Sequence, residues 1–142
     1  MRILLPVDGS DASLRVIEHM IARRGYYAEP DKIELHLLNV QHGLPSHVGR
    51  MVDSADLDDY HREEGMKALA PARKALDAAG IPYTYHIGVG DPPEVIIRYV
   101  EKLGCEQIRM GMHNRGAIAE FFMGSVSSGV LKLSKVPILL VP

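Results

Sequence analysis

Short apolar runs alternate with longer amphipathic segments along the whole chain, and this alternation limits the possible folds more than any other feature. Ile3 to Val7 is an apolar run that ends at once in Asp8-Gly9-Ser10, the pattern of a buried strand and a turn. Asp11 can cap a helix running to about Arg24, with Ser13, Val16, Ile17, Met20 and Ile21 on its inner face at the 3.6-residue period. Ile33 to Val40 reads as a second strand. Gln41 to about Ser54 has no period and is rich in Gly, Pro, Ser and His at its start, which predicts a loop long enough to suggest function. The next helix is expected from about Asp56 to Ala79, closed by Gly80 and Pro82. Pro71 lies inside it and has no N–H to give the Lys67 carbonyl, which predicts a kink or break.

Tyr83 to Val89 alternates as a third strand. Asp91-Pro92-Pro93-Glu94 reads as a helix start, with Asp91 as cap, Pro92 at the first helical position and Glu94 closing a capping box. That helix would bury Ile96, Ile97, Val100 and Leu103 and end at Gly104. Gln107 to Met110 is a fourth strand, Gly111 to Gly124 a glycine-bearing loop, Ser125 to Leu133 a short helix and Pro137 to Val141 the last strand. The order βαβαβαβαβ implies right-handed crossovers and a parallel sheet covered on both faces, an α/β three-layer sandwich. A length of 142 residues fits one domain, expected to span residues 1–142, and 46% apolar residues can fill one core.

The net charge of −2 argues against a dedicated nucleic-acid binder, which needs a basic face, but not against a small anion held by backbone groups. The single cysteine, Cys105, rules out an intramolecular disulfide and a CxxC metal pattern, and reads as a small buried apolar group. No run approaches the roughly 20 apolar residues of a membrane span. The run before Pro6 is too short for a signal peptide. These features predict a cytoplasmic protein with no membrane or nucleic-acid partner. His42 and His47 share a loop, with His36 nearby, but no carboxylate or cysteine accompanies them at metal-ligand spacing, so no metal site is expected. His86-Ile87-Gly88-Val89 lacks the closing histidine of a nucleotidyltransferase motif and is read as strand. The charges from Asp53 to Glu64 read as a solvated helix face.

In open parallel sheets, ligands bind beyond the carboxyl ends of the strands, where strand order reverses. Two such ends carry unusual residues. The first strand closes on Pro6-Val7-Asp8, and Asp8 is an acceptor suited to a ribose hydroxyl. The fourth strand leads into Gly111-Met112-His113-Asn114-Arg115-Gly116. Gly111 and Gly116 would let backbone approach a ligand and allow positive φ, and Asn114 tolerates the left-handed region. Gly124-Ser125-Val126 then opens a helix whose free N–H groups and dipole favour a phosphate, with the Ser125 hydroxyl as an added donor.

With these segments in view, the chain resembles the universal stress protein family along almost its full length. Ile3 to Ser10 is similar to the family's first strand and turn, Val89 to Pro92 to its third-helix entry, and Gly111 to Ser125 with Val136 to Val141 to its nucleotide loop and last strand. The family's signature is Gly, two residues, Gly, nine residues, then Gly and Ser or Thr. Gly111, Gly124 and Ser125 match it in register, and Asn114 stands at the second Gly. The resemblance implies a five-stranded parallel sheet in the order 3-2-1-4-5, an adenine-nucleotide ligand and a homodimer through the edge strand Pro137–Pro142. It also implies residue roles: Asp8 near the ribose or adenine, Val40 meeting adenine with its backbone, and Gly111, His113, Asn114, Gly124, Ser125 and Val126 along the ribose and phosphates. Arg115 is the one positive residue of the loop and Glu120 opposes it, so ADP or AMP is expected to suit the loop as well as ATP, with Mg carried by the phosphates.

The function expected is a stress-response regulator or sensor that binds an adenine nucleotide. Two rivals are a nucleotide-free dimeric stress protein and a slow ATPase or self-phosphorylating protein. No P-loop GxxxxGK[ST] occurs and no residue stands out as a dedicated catalytic base.

Overall fold

The computed structural model describes residues 1–44, 53–113 and 124–142. Five strands, β1 (Arg2–Pro6), β2 (Glu34–Gln41), β3 (Thr84–Val89), β4 (Gln107–Gly111) and β5 (Ile138–Val141), alternate with four helices, α1 (Asp11–Arg23), α2 (Ser54–Ala78), α3 (Pro92–Leu103) and α4 (Ser125–Leu133). Single turns of 3-10 helix at Arg24–Tyr26 and Pro30–Lys32 lead from α1 to β2. The sheet order is β3-β2-β1-β4-β5, and every pairing is parallel. This is the α/β architecture expected from the sequence pattern, in the strand order that the family resemblance implies.

The central strand explains why its sequence reads as a continuous apolar run. Ile3, Leu4 and Leu5 are all fully buried, although successive side chains point to opposite faces. Ile3 and Leu5 join Ile17, Leu37, Leu69 and Leu76 in a core beneath α1 and α2. Leu4 joins Leu38, Ile96, Ile108 and Val130 beneath α3 and α4. Cys105 is buried, as expected, and burial pushes its thiol above its ordinary value.

Several local expectations are corrected. Ser10, not Asp11, caps α1: its hydroxyl accepts from the Ser13 N–H at 3.2 Å, and Asp11 is the first helical residue, where its charge meets the positive helix end. Asp91 is the N-cap of α3, but its side chain makes no capping bond. A cap reaches the second or third helical N–H; Pro93 at the second position has none, the Glu94 N–H at the third is not bonded by Asp91, and the expected capping box through Glu94 does not form. α2 starts two residues earlier than expected, capped by Asp53, and continues through Pro71 without a break. Lys67 and Pro71 are both exposed, so water can reach the carbonyl that the proline leaves without a donor. Gly65 of α2 lies against β3, where an added Cβ would sit 2.8 Å from Ile87.

A cleft at the carboxyl ends of β1 and β4

β1 and β4 are neighbours, and their chains leave in opposite directions, β1 into α1 and β4 toward α4. The crevice between them holds a cleft of about 340 Å³, within the range of roughly 300–1,000 Å³ typical of small-molecule sites. Pro6, Val7, Asp8, Val40, Gly111, His113, Gly124, Ser125 and Val126 all line it. The remaining expected site residues, Asn114, Arg115 and Gly116, lie outside the described residues, as does Glu120.

Asp8 follows directly on β1. Its carboxylate accepts from the Ser10 N–H at 2.9 Å and from the Ser10 hydroxyl, so it also ties the turn into α1. Its second oxygen lies 3.9 Å from His113 Nε2, across the crevice. Burial works against the charged form. The Ser10 hydroxyl and N–H, the Ser13 hydroxyl and the nearby His113 outweigh it and hold the carboxyl below its ordinary value. Asp8 is therefore ionised at neutral pH and offers acceptors only.

His113 belongs to a segment fixed from two sides. The Met112 N–H donates to the Val141 carbonyl at 2.8 Å, and Arg15 of α1 donates to the Met112 carbonyl at 3.0 Å. On the facing side, α4 opens at Gly124, an N-cap without a side chain. The carbonyl of Gly124 accepts the Ser128 N–H at 3.0 Å, and the N–H groups of Ser125, Val126 and Ser127 at the start of the helix have no partner among the described residues. An anion at that end meets both donors and the positive dipole.

Gly111 differs from expectation. Its φ is not positive, and an added Cβ would lie 2.2 Å from the Ala12 carbonyl oxygen. The glycine permits β4 to pass close to α1, a need of the fold itself. At Gly124, by contrast, the nearest described atom to an added Cβ is His113 Cδ2 at 3.9 Å.

The lining also includes residues the sequence reading did not assign to the site: the polar Ser10, Ser13, Ser127 and His42, and the apolar Leu38, Pro92, Ile96 and Met110. Leu38 and Met110 carried a signal, because each stands within three residues of a strand end at the crevice. Pro92 and Ile96 carried none, since only the packing of α3 beside β1 and β2 brings them there. Such a cleft suits a ligand with a flat apolar part, hydroxyls and an anionic end.

The family model described as the universal stress protein family matches residues 1–142. The chain belongs to the universal stress protein family. A universal stress protein of Methanocaldococcus jannaschii is 29% identical over 141 residues, covering 99% of this chain and 81% of the relative. The solved structure of a second universal stress protein from that organism has a TM-score of 0.75 at 29% identity, covering 99% of this chain and 94% of the other. A solved universal stress protein from Archaeoglobus fulgidus, in complex with dAMP, shares the fold with a TM-score of 0.69 at 20% identity, covering 100% of this chain and 98% of the other.

Among the described residues, no three His, Cys, Asp or Glu side chains are grouped to hold a metal ion, and no helix is long and apolar enough to cross a membrane.

Proposed function

We propose that this universal stress protein binds an adenine nucleotide in the cleft and acts as a cytoplasmic, nucleotide-dependent regulator or sensor. The observation that carries this reading is the convergence, in one cleft of ligand size, of the Val40 strand end, the ionised Asp8 and the N-terminus of α4. The dAMP complex of the A. fulgidus neighbour supports it.

In this reading the base lies over Leu38 and Ile96 and meets the backbone of Val40. Asp8 accepts from the ribose hydroxyls. The N–H groups of Ser125 and Val126, with the Ser125 hydroxyl, receive phosphate, and Gly124 leaves room for it. His113 stands beside Asp8 at the ribose, and Asn114, Arg115 and Gly116 belong to the same nucleotide-binding set. No lysine or arginine lines the cleft among the described residues. Phosphate binding there rests on backbone dipoles, so AMP and ADP bind as well as ATP, and Mg arrives with the phosphates. The domain spans residues 1–142 and works as a homodimer paired through Pro137–Pro142. In this reading hydrolysis of the nucleotide is at most slow.

Calorimetry with AMP, ADP and ATP tests the reading. Saturable binding of all three is expected. Absence of heat and of any thermal shift at millimolar nucleotide would instead favour a nucleotide-free stress protein.

A further inference from the structure

We propose that Asn39 is a positioning residue that makes the cleft selective for adenine by keeping the Val40 N–H out of the sheet; this rests on the reading of the cleft as an adenine-nucleotide site. In a parallel strand, alternate residues direct both backbone groups to the same neighbour. The Leu38 carbonyl accepts the Val7 N–H at 2.8 Å, so Leu38 faces β1. The Gln41 carbonyl accepts the Gly90 N–H at 2.9 Å, so Gln41 faces the β3 side. Val40 has the parity of Leu38, and its N–H and C=O point toward β1. The register there ends at Pro6 opposite Leu38.

Continued by one step, the ladder would send the Val40 N–H to the Val7 carbonyl. That bond is not made, and the Val7 carbonyl has a side-chain donor in its place. The Asn39 side-chain amide, on a residue only 3% exposed, donates to it at 2.7 Å. The Asn39 oxygen in turn accepts from the Gln41 side chain at 2.7 Å, which fixes the amide's orientation. A side chain thus replaces the last rung of the β1–β2 ladder. Val40, a lining residue of the cleft, keeps a donor and an acceptor at its mouth. That pair is complementary to N1 and the 6-amino group of adenine. In the same pose guanine reverses both, setting donor against donor and acceptor against acceptor.

Removing the amide returns the Val7 carbonyl to the Val40 N–H, and the ladder closes by one rung over the edge that reads the base. The test is the affinity of the full chain and of Asn39→Leu for AMP, GMP and ribose 5-phosphate. The unmodified protein should prefer AMP to GMP. In Asn39→Leu, AMP should weaken about tenfold while ribose 5-phosphate changes by less than about twofold, so that the preference collapses. A folded variant that keeps the AMP preference, or loses AMP and ribose 5-phosphate in equal proportion, overturns the proposal. Should Asn39→Leu not fold, amide exchange in the unmodified protein decides. A Val40 N–H that exchanges readily without ligand and is protected by AMP supports the proposal, and one already protected without ligand refutes it. A chain that binds no AMP, yet has a readily exchanging Val40 N–H, would refute the nucleotide reading and leave the backbone geometry standing.

Discussion

At the scale of single residues, Gly111 and Gly124 share a loop and a family motif but answer to different constraints. Alanine at 111 would drive its Cβ into the Ala12 carbonyl, 2.2 Å away, so Gly111→Ala should destabilise the fold by about 3 kcal/mol, read as a lowered melting temperature or denaturant midpoint. Alanine at 124 keeps an ordinary φ of −60° and meets nothing described within 3.9 Å. Gly124→Ala should therefore melt within a few degrees of the unmodified protein. It should weaken AMP about tenfold, because the methyl occupies space at the phosphate end. A large stability loss, or unchanged AMP affinity, would contradict the role given to Gly124. The spacing of the two glycines was legible in the sequence; their different reasons were not. The obstacle at Gly111 comes from Ala12, far away in the chain and near only after β1 and β4 pair. Asp8 was legible as a crevice residue because a strand visibly ends there. Asn39 was not, since a polar residue in an apolar run signals nothing until its partner is known.

At the scale of elements, β2 and β3 are joined by a partly buried histidine pair. His36 Nδ1 and His86 Nε2 are 3.1 Å apart with their rings stacked, a hydrogen bond that needs one proton between two neutral imidazoles. Tyr99 of α3 tilts against His86, and Lys102 lies over Tyr99. Burial is the main cause that lowers both titrations. At His36 the Glu34 carboxylate pulls upward and Arg2 downward; at His86 His36 and Lys102 add to the lowering. Both folded values thus lie below the ordinary 6.5, so the unfolded chain takes up protons first as pH falls. The pair's contribution is fully present above the unfolded value and is lost on acidification. The melting temperature should fall between about pH 7 and pH 5, and His86→Gln should flatten that slope. An equal slope in the variant would show that other groups set it. The sequence identified β2 from its apolar run, and β3, an edge strand with exposed residues, from its alternation. It could not pair these two histidines, because they meet diagonally across a register that only the folded sheet defines. Pro71 misled for a related reason: the break it predicts is avoided where the helix faces water.

At the scale of the whole molecule, β5 is an edge strand, Ile138-Leu139-Leu140-Val141, with no charged residue and a partly exposed Leu139. An apolar edge is a template for pairing, and an antiparallel two-fold contact closes on itself. Light scattering should find a dimer at micromolar concentration in both low and high salt, whereas a monomer would contradict it. A dimer that survives in folded Leu139→Pro and Leu140→Pro variants would place the interface elsewhere. The strand order that creates this edge also creates the crevice, and both followed from the alternation of runs in the sequence together with the family resemblance. The central claim is that the crevice holds an adenine nucleotide between Val40 and the start of α4. A backbone amide NMR titration of the full chain with AMP tests it most directly. The account predicts saturable shifts centred on Val40, Asp8, Gly124, Ser125 and Val126. No shifts at millimolar AMP, or saturable shifts that map to another face of the sheet, would contradict it.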